Sequence, residues 1–373
     1  MEYLYAVAGT TVKIEYNNQY ITQYLDREFS LMRCDRGTPS IIVKINNGSS
    51  VSIKRFKNQV RKLELIDNKI VQFFKAFQRH FGVEYRFEGN TIVCELFIPY
   101  SERGGLKKFM SSFYEGALYS CLADFFHNPF LAVLQYQLLN KGASLFHCSS
   151  FYLEQESRTI VLAGGAGSGK STLMTELLKL VHANVCSEDF AVVTEDGRIF
   201  GYPHQTRVRF TDMGKARIRY KNGIKYGLNG VLDIINQYVY SIIQHKENGR
   251  HFSLNEIYGE NGFQMKCSMG GEIYFLRRDV ERPERRVLNL EDYCSIQTGV
   301  ILSEFENMIS AMELIKGLAE LGGNIVIYDT FRDMIMNVYT KSFSSLKCIQ
   351  VNIPYMPNLD DTTNELYRII FKH

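Results

Sequence analysis

The chain has 373 residues, 45% of them hydrophobic and 22% charged, with a formal net charge of +3. This is ordinary globular composition with room for more than one structural unit, and so balanced a charge argues against a nucleic-acid partner. No run approaches eighteen apolar residues, and the start at Met1–Tyr5 has no basic region followed by a long apolar stretch, so neither a membrane span nor a signal peptide is expected. The eight cysteines are Cys34, Cys94, Cys121, Cys148, Cys186, Cys267, Cys294 and Cys348. They are scattered, without C-x-x-C spacing, which fits reduced thiols in a cytoplasmic protein better than disulfides or zinc.

Residues 1–104 read as a β-rich N-terminal domain. Val12, Ile14 and Tyr16 alternate with polar residues. Ile41–Ile45 and Val51–Ile53 flank Asn46-Asn47-Gly48, a hairpin signature. Tyr85–Phe87 and Thr91–Leu96 flank Glu88-Gly89-Asn90 and suggest a second hairpin. Residues 56–80 fit either a helix or extended chain. Across 105–141 the period changes. Phe109, Phe113, Leu118, Leu122, Phe125 and Phe126 fall close to helical spacing, Pro129 interrupts, and Leu131–Leu139 resumes the pattern. These are expected to be bridging helices.

Residues 142–300 form the expected core. Strands are predicted at Ser144–Tyr152, Thr159–Ala163, Ala183–Cys186, Phe190–Thr194 and Gly271–Leu276, with a helix at Ser171–Leu180. Residues 211–270 are polar, glycine-dotted and poorly periodic, and suit a cover over a reaction site. The extension 301–373 reads as a helix at Ser303–Leu321 and a strand at Asn324–Tyr328.

The most specific motif is Gly164–Ser171, G-G-A-G-S-G-K-S, which matches the phosphate-binding loop G-x-x-x-x-G-K-[ST]. It sits where a β-branched run hands over to a helix. Backbone N–H groups there converge on one point, and the helix dipole favours an anion. Gly164, Gly165, Ala166, Gly167, Ser168, Gly169, Lys170, Ser171 and Thr172 are therefore expected to hold ATP. Lys170 would reach the β- and γ-phosphates and Ser171 would ligate Mg²⁺. Leu145-Phe146-His147-Cys148-Ser149 precedes the loop. Downstream, Glu188 and Asp189 end an apolar run eighteen and nineteen residues after Lys170. In a parallel sheet that strand can lie beside the loop strand, with its acids at the same crevice.

This order of a strand histidine, the phosphate loop, and paired acids after one helix resembles the catalytic domain of HPr kinase/phosphorylase. The fold of that domain is related to phosphoenolpyruvate carboxykinase. The similarity is closest to the diverse HPr-kinase-like proteins that phosphorylate serine hydroxyls on proteins, maturing peptides or small molecules. It covers Ser144 to about Phe210 with some specificity, and the rest, including Ala8–Ile14 and Ile273–Arg277, only loosely. The resemblance implies an α/β fold, a P-loop-containing mixed sheet of the HPr kinase C-terminal type with a β-rich N-terminal unit. It implies an ATP- and Mg²⁺-dependent kinase with a serine-containing acceptor: a peptide, a protein or free serine. It also implies possible assembly into a homo-oligomer.

By the same resemblance Lys170 binds phosphate, Ser171 and Glu188 hold the metal, and Asp189 takes the proton of the serine hydroxyl. Glu188 departs from the family's Asp-Asp pair. His147 becomes the active-site histidine, although its apolar surroundings alone suggest a packed ring. The family's later magnesium glutamate and arginine-bearing loop find no match at Gly201–Arg207, so phosphorolysis and HPr as substrate are not implied. Arg207 and Arg209 read as a surface strand. Arg277, Arg278, Arg282, Arg285 and Arg286, mixed with acids, read as a solvated loop. Two alternatives remain open. One is a P-loop ATPase whose second magnesium acid is Asp329, at the end of Asn324–Tyr328. The other is a non-catalytic nucleotide-dependent interaction module.

Overall fold

A computed structural model describes residues 1–47, 63–76, 79–98, 118, 121–202, 206–209, 249–252, 257–258, 262–278, 284–308, 311–322, 328–354 and 359–371. They fall into two compact units, one of Met1–Gly142 and Leu302–Met334, the other of Ala143–Ile301 and Ile335–His373. The C-terminal residues 301–373 are thus shared between the two. Both units are mixed α/β. Among the described residues no helix is long and apolar enough to cross a membrane.

The first unit is built on seven strands: β1 (Glu2–Val7), β2 (Thr10–Glu15), β3 (Ile41–Asn47), β4 (Leu63–Ile66), β5 (Lys69–Ala76), β6 (Arg79–Glu88) and β7 (Thr91–Ile98). Their order is β1-β2-β3-β7-β6-β5-β4. Tight turns join β1 to β2, β4 to β5 and β6 to β7. Ala8 and Gly9 both have positive φ, as do Asp67 and Asn68, the pattern of a type I′ turn. At Gly89-Asn90 only the glycine does, as in type II′. Glu88 there pairs with Thr91, which is the second hairpin expected from the sequence. Residues 63–76 prove extended, which decides part of the stretch left open at 56–80. Helix α1 (Gln19–Phe29) starts at Asn18, whose side-chain oxygen accepts from the Tyr20 N–H at 2.9 Å. Ile21, Tyr24, Leu25 and Phe29 form its buried face, and Phe29 stacks on Tyr5 with centroids 4.5 Å apart.

One expectation for this unit needs correction. A hairpin over Ile41–Ile45 has no free edge at residues 41–44, because β2 and β7 flank β3 there, both in parallel. Its expected second arm, Val51–Ile53, lies outside the described residues. The interruption expected at Pro129 is present: a helical stretch at 121–127 ends before Asn128, and Pro129 opens the next helix, α2 (Pro129–Leu139). At the first helical position the missing N–H is harmless and the fixed φ is already helical. Every residue of α2 is buried.

The second unit holds β8 (Ala143–Leu153), β9 (Arg158–Ala163), α3 (Lys170–Leu177), β10 (Asn184–Ser187), β11 (Phe190–Thr194) and β12 (Arg198–Gly201). β13 (Thr206–Arg209) and β14 (Gly249–Phe252) form a separate pair. β15 (Lys266–Ser268), β16 (Glu272–Arg277) and β17 (Glu284–Val287) come next. Further along the chain come α4 (Leu290–Asn307), divided between the units, α5 (Ala311–Leu321), which belongs to the first unit, α6 (Tyr328–Ser342), again divided, and β18 (Lys347–Asn352) and α7 (Leu359–Phe371) of the second. The main sheet runs β15-β12-β11-β8-β9-β16-β18-β17, with β10 also paired to β8. β9, β16 and β18 are mutually parallel, and β8 is antiparallel to β9. One face packs Ile160, Leu162, Leu276 and Val351 against Leu173, Met174 and Leu177 of α3 and Leu366 and Ile370 of α7. On the other, Phe146 meets Tyr339 and Phe343, and Tyr339 Oη donates to the Leu145 carbonyl at 2.6 Å.

The helix expected at Ser303–Leu321 is two helices. α4 begins earlier, at Leu290, and α5 begins at Ala311. Of the strand expected at Asn324–Tyr328, residues 324–327 lie outside the described residues. Tyr328 opens α6, so Asp329 sits in the first turn of a helix rather than at a strand end. Most of the expected cover at 211–270 also lies outside the described residues, but its end is no cover: Gln264 is hydrogen-bonded to Val185, and β15 (Lys266–Ser268) is a strand of the main sheet.

Candidate functional site

β9 delivers the chain to the loop at Ala163, and α3 begins at Lys170. Between them Gly164, Gly167 and Gly169 have φ of +151°, +77° and +84°. Side chains rarely tolerate such backbone. Space is short as well. A Cβ on Gly164 would come within 2.9 Å of the Leu276 carbonyl oxygen and 2.8 Å of Ser168 Oγ. Gly169 is the N-cap of α3 and offers no side-chain acceptor, so the first N–H groups of the helix have no cap. No acid lies in the first turn of α3 to compete for them. The Ser168 hydroxyl is buried with no hydrogen-bond partner among the described residues. A glycine-lined cradle, uncapped N–H groups and an orphan hydroxyl suit the oxygens of a phosphate chain.

Lys170 is buried and curls back over the loop. Its Nζ donates to the carbonyls of Gly164 at 2.8 Å and Gly165 at 3.1 Å. The ammonium is thereby fixed above the backbone that would wrap the phosphates. Ser171, one residue on, donates its hydroxyl to the Glu188 carbonyl at 3.1 Å. Ser149 of β8 donates to the same carbonyl at 2.5 Å, and the two hydroxyl oxygens lie 3.4 Å apart. With its proton so engaged, Ser171 keeps oxygen lone pairs for a cation.

Sheet topology brings the acids here, by a route the sequence did not suggest. β10 does not lie beside β9. It pairs with the C-terminal half of β8, and β11 pairs with the N-terminal half. β10 and β11 therefore run along β8 as one strand broken at Glu188-Asp189. The break falls opposite His147–Ser150, where Ser187 registers with Ser150, Phe190 with His147, and the Cys148 N–H donates to the Asp189 carbonyl at 3.1 Å. Cys148 in turn registers with Ala163 at the end of β9. Because β8 is antiparallel to both, β10 runs in the direction of β9 from one strand away. The acids thus still arrive at the level of the loop.

His147 Nε2 lies 3.0 Å from Asp189 Oδ1, with the histidine side chain 6% exposed and the aspartate 43%. The imidazole also stacks on Phe190 at 5.4 Å. It is thus packed, as its apolar setting suggests, and it also holds a carboxylate. Glu188 is buried, and its contact with Ser171 and Ser149 is made by its carbonyl. Burial pushes the Cys148 thiol up to about 12, with Lys170 drawing it down and Asp189 raising it, so both charges act on the same point.

Sequence reasoning passed over two residues. Ser149 is one. The other is Arg278, which directly follows β16. β16 is parallel to β9, so its C-terminal end faces the same edge of the sheet. A Cβ on Gly169 would come within 2.9 Å of Arg278 Nη1. The guanidinium lies against the loop and not in a solvated charge cluster. The available signal was the apolar run Ile273–Leu276 ending directly in basic residues. Arg207 and Arg209 lie on β13, whose partner is β14. Among the described residues no group of three or more His, Cys, Asp or Glu could hold a metal. Neither a protein-family model nor a curated protein matches the chain.

Proposed function

We propose that the second unit is an ATP- and magnesium-dependent kinase of the HPr-kinase-like type, which transfers the γ-phosphate to a serine-type hydroxyl. The acceptor is a peptide, a protein or free serine, and the setting is cytoplasmic, in keeping with eight free cysteines. The observation that carries this reading is the Ser171–Glu188 contact. It joins the phosphate loop to the segment bearing Asp189, so a carboxylate and a phosphate cradle share one edge of the sheet. A phosphate loop alone would fit any nucleotide-binding protein.

Each residue then has a defined task. The uncapped N–H groups of α3 and the Lys170 ammonium hold the phosphates. The Ser171 hydroxyl would hold magnesium, which would supply positive charge against the leaving group. Asp189 accepts the proton of the attacking hydroxyl, and the His147 Nε2–H holds the carboxylate in position by donating to it. Arg278, at the loop, offers a planar donor for a phosphate oxygen. Ser149 and the Glu188 carbonyl keep Ser171 oriented.

The test is incubation of the full chain with γ-labelled ATP, free serine and serine-containing peptides, followed by identification of the labelled product. Phosphoserine is the expected product. ADP released without any acceptor would favour a hydrolase, and nucleotide binding without ADP would favour an interaction module.

A further inference from the structure

Away from the phosphate loop, Cys186 Sγ lies 2.9 Å from Cys267 Sγ. Both residues are buried. Three features of the backbone hold them together. Val185, next to Cys186, is bridged to the segment before β15: its N–H donates to the Gly262 carbonyl at 2.8 Å, and the Gln264 N–H donates to its carbonyl at 2.9 Å. Cys267 is fixed on β15 by its register with Ile199 of β12. Gly201 lets β12 and β10 close, since a Cβ there would sit 1.9 Å from the Cys186 carbonyl oxygen. The sulfurs thus face each other from anchored strands. A disulfide needs about 2.05 Å between sulfurs, so a closure of about 0.9 Å would form the bond.

We infer that Cys186 and Cys267 are a reversible thiol–disulfide pair, a modification site on the strand that leads into Glu188 and Asp189. The oxidant class is a small-molecule disulfide such as oxidised glutathione. Cys267 is the attacking thiol, because it is 5% exposed whereas Cys186 is 0% exposed. The Cys267 thiolate attacks one sulfur of the oxidant and releases one small thiolate. Cys186 then loses its proton and attacks the Cys267 sulfur of the mixed disulfide, expelling the second small thiolate. Two protein thiols become one disulfide, and the oxidant becomes two thiols. The bond would tie β10 to β15 two residues before Glu188, whose carbonyl receives the Ser171 and Ser149 hydroxyls. Formation of the disulfide does not depend on the kinase reading.

The test is to incubate the full reduced chain with excess oxidised glutathione, alkylate remaining thiols, digest without reductant and map the peptides by mass. The expected result is a Cys186–Cys267 cross-linked pair lacking two hydrogen atoms, lost on reduction with dithiothreitol and absent in Cys267→Ser. The partly exposed Cys34 reports that the oxidant was active. Recovery of Cys186 and Cys267 as separately alkylated peptides, while Cys34 is glutathionylated, would overturn the inference. So would a lasting glutathione adduct on Cys267 without a cross-link. The wild-type map decides the matter even if the variant does not fold.

Discussion

Gly169→Ala should damage both the stability of the second unit and its cradle, whereas Gly165→Ala should leave stability unchanged. At Gly169 the backbone has φ +84°, and a Cβ would lie 2.9 Å from Arg278 Nη1. A left-handed conformation costs an alanine about 1–2 kcal/mol. Arg278 must also move, although the far end of a flexible side chain can do so at small cost. At Gly165 φ is not positive, and a Cβ would meet nothing within 4 Å. For a unit of this size each kcal/mol lowers Tm by about 2–4 °C, so Gly169→Ala should melt about 2–8 °C below the parent. Thermal denaturation of both variants, with and without Mg·ATP, is the assay. Nucleotide at about a hundred times its Kd should stabilise the parent by about 2.7 kcal/mol, and Gly169→Ala should lose most of that. A Gly169→Ala protein that melts with the parent and keeps the full nucleotide shift would refute the cradle geometry.

Four further outcomes follow from the site. Asp189→Asn should retain nucleotide affinity while phosphate transfer falls about 10²-fold or more, because the amide cannot take the proton; equal loss of both, in titration and single-turnover assays, would give Asp189 a binding role instead. Ser149→Ala removes one of two hydroxyls from the Glu188 carbonyl and should cost about 1 kcal/mol in stability, measured by urea unfolding; no change would mean the contact contributes nothing. Cys148, with its thiol pushed up to about 12, holds almost no thiolate at neutral pH and should resist iodoacetamide in the native protein while Cys34 reacts; prompt labelling of Cys148 would contradict its burial. Asp329→Asn should leave turnover unchanged, since Asp329 sits in the first turn of a helix; a large loss would revive the hydrolase alternative.

What the sequence revealed was local. The loop Gly164–Ser171 is legible because its glycines, lysine and serine fall within eight residues and its flanks switch from a β-branched run to helical spacing. Phe190–Thr194 is a strand over the same residues read from the sequence, and the Gly89-Asn90 turn announces its hairpin. What escaped was pairing. Nothing near Ile41–Ile45 says that both neighbours of β3 come from elsewhere in the chain and run parallel to it. Likewise Val185-Cys186-Ser187 gives no hint that β10 lies one strand away from β9, behind a long antiparallel β8. The helix break at Pro129 was legible, because proline cannot continue a helix yet suits the first turn of the next. Arg278 hid among charges that usually mark solvent, and the parallel pairing of β16 with β9 is what brings it to the loop.

The central claim is phosphate transfer to a serine-type hydroxyl, and its most direct test is stoichiometry. ADP and phosphoserine should be measured together for the parent and for Lys170→Ala, with and without serine-containing acceptors. The account predicts ADP formation only when an acceptor is present, one phosphoserine for each ADP, and neither product from Lys170→Ala. ADP released at the same rate without any acceptor, or transfer that survives loss of Lys170, would contradict it.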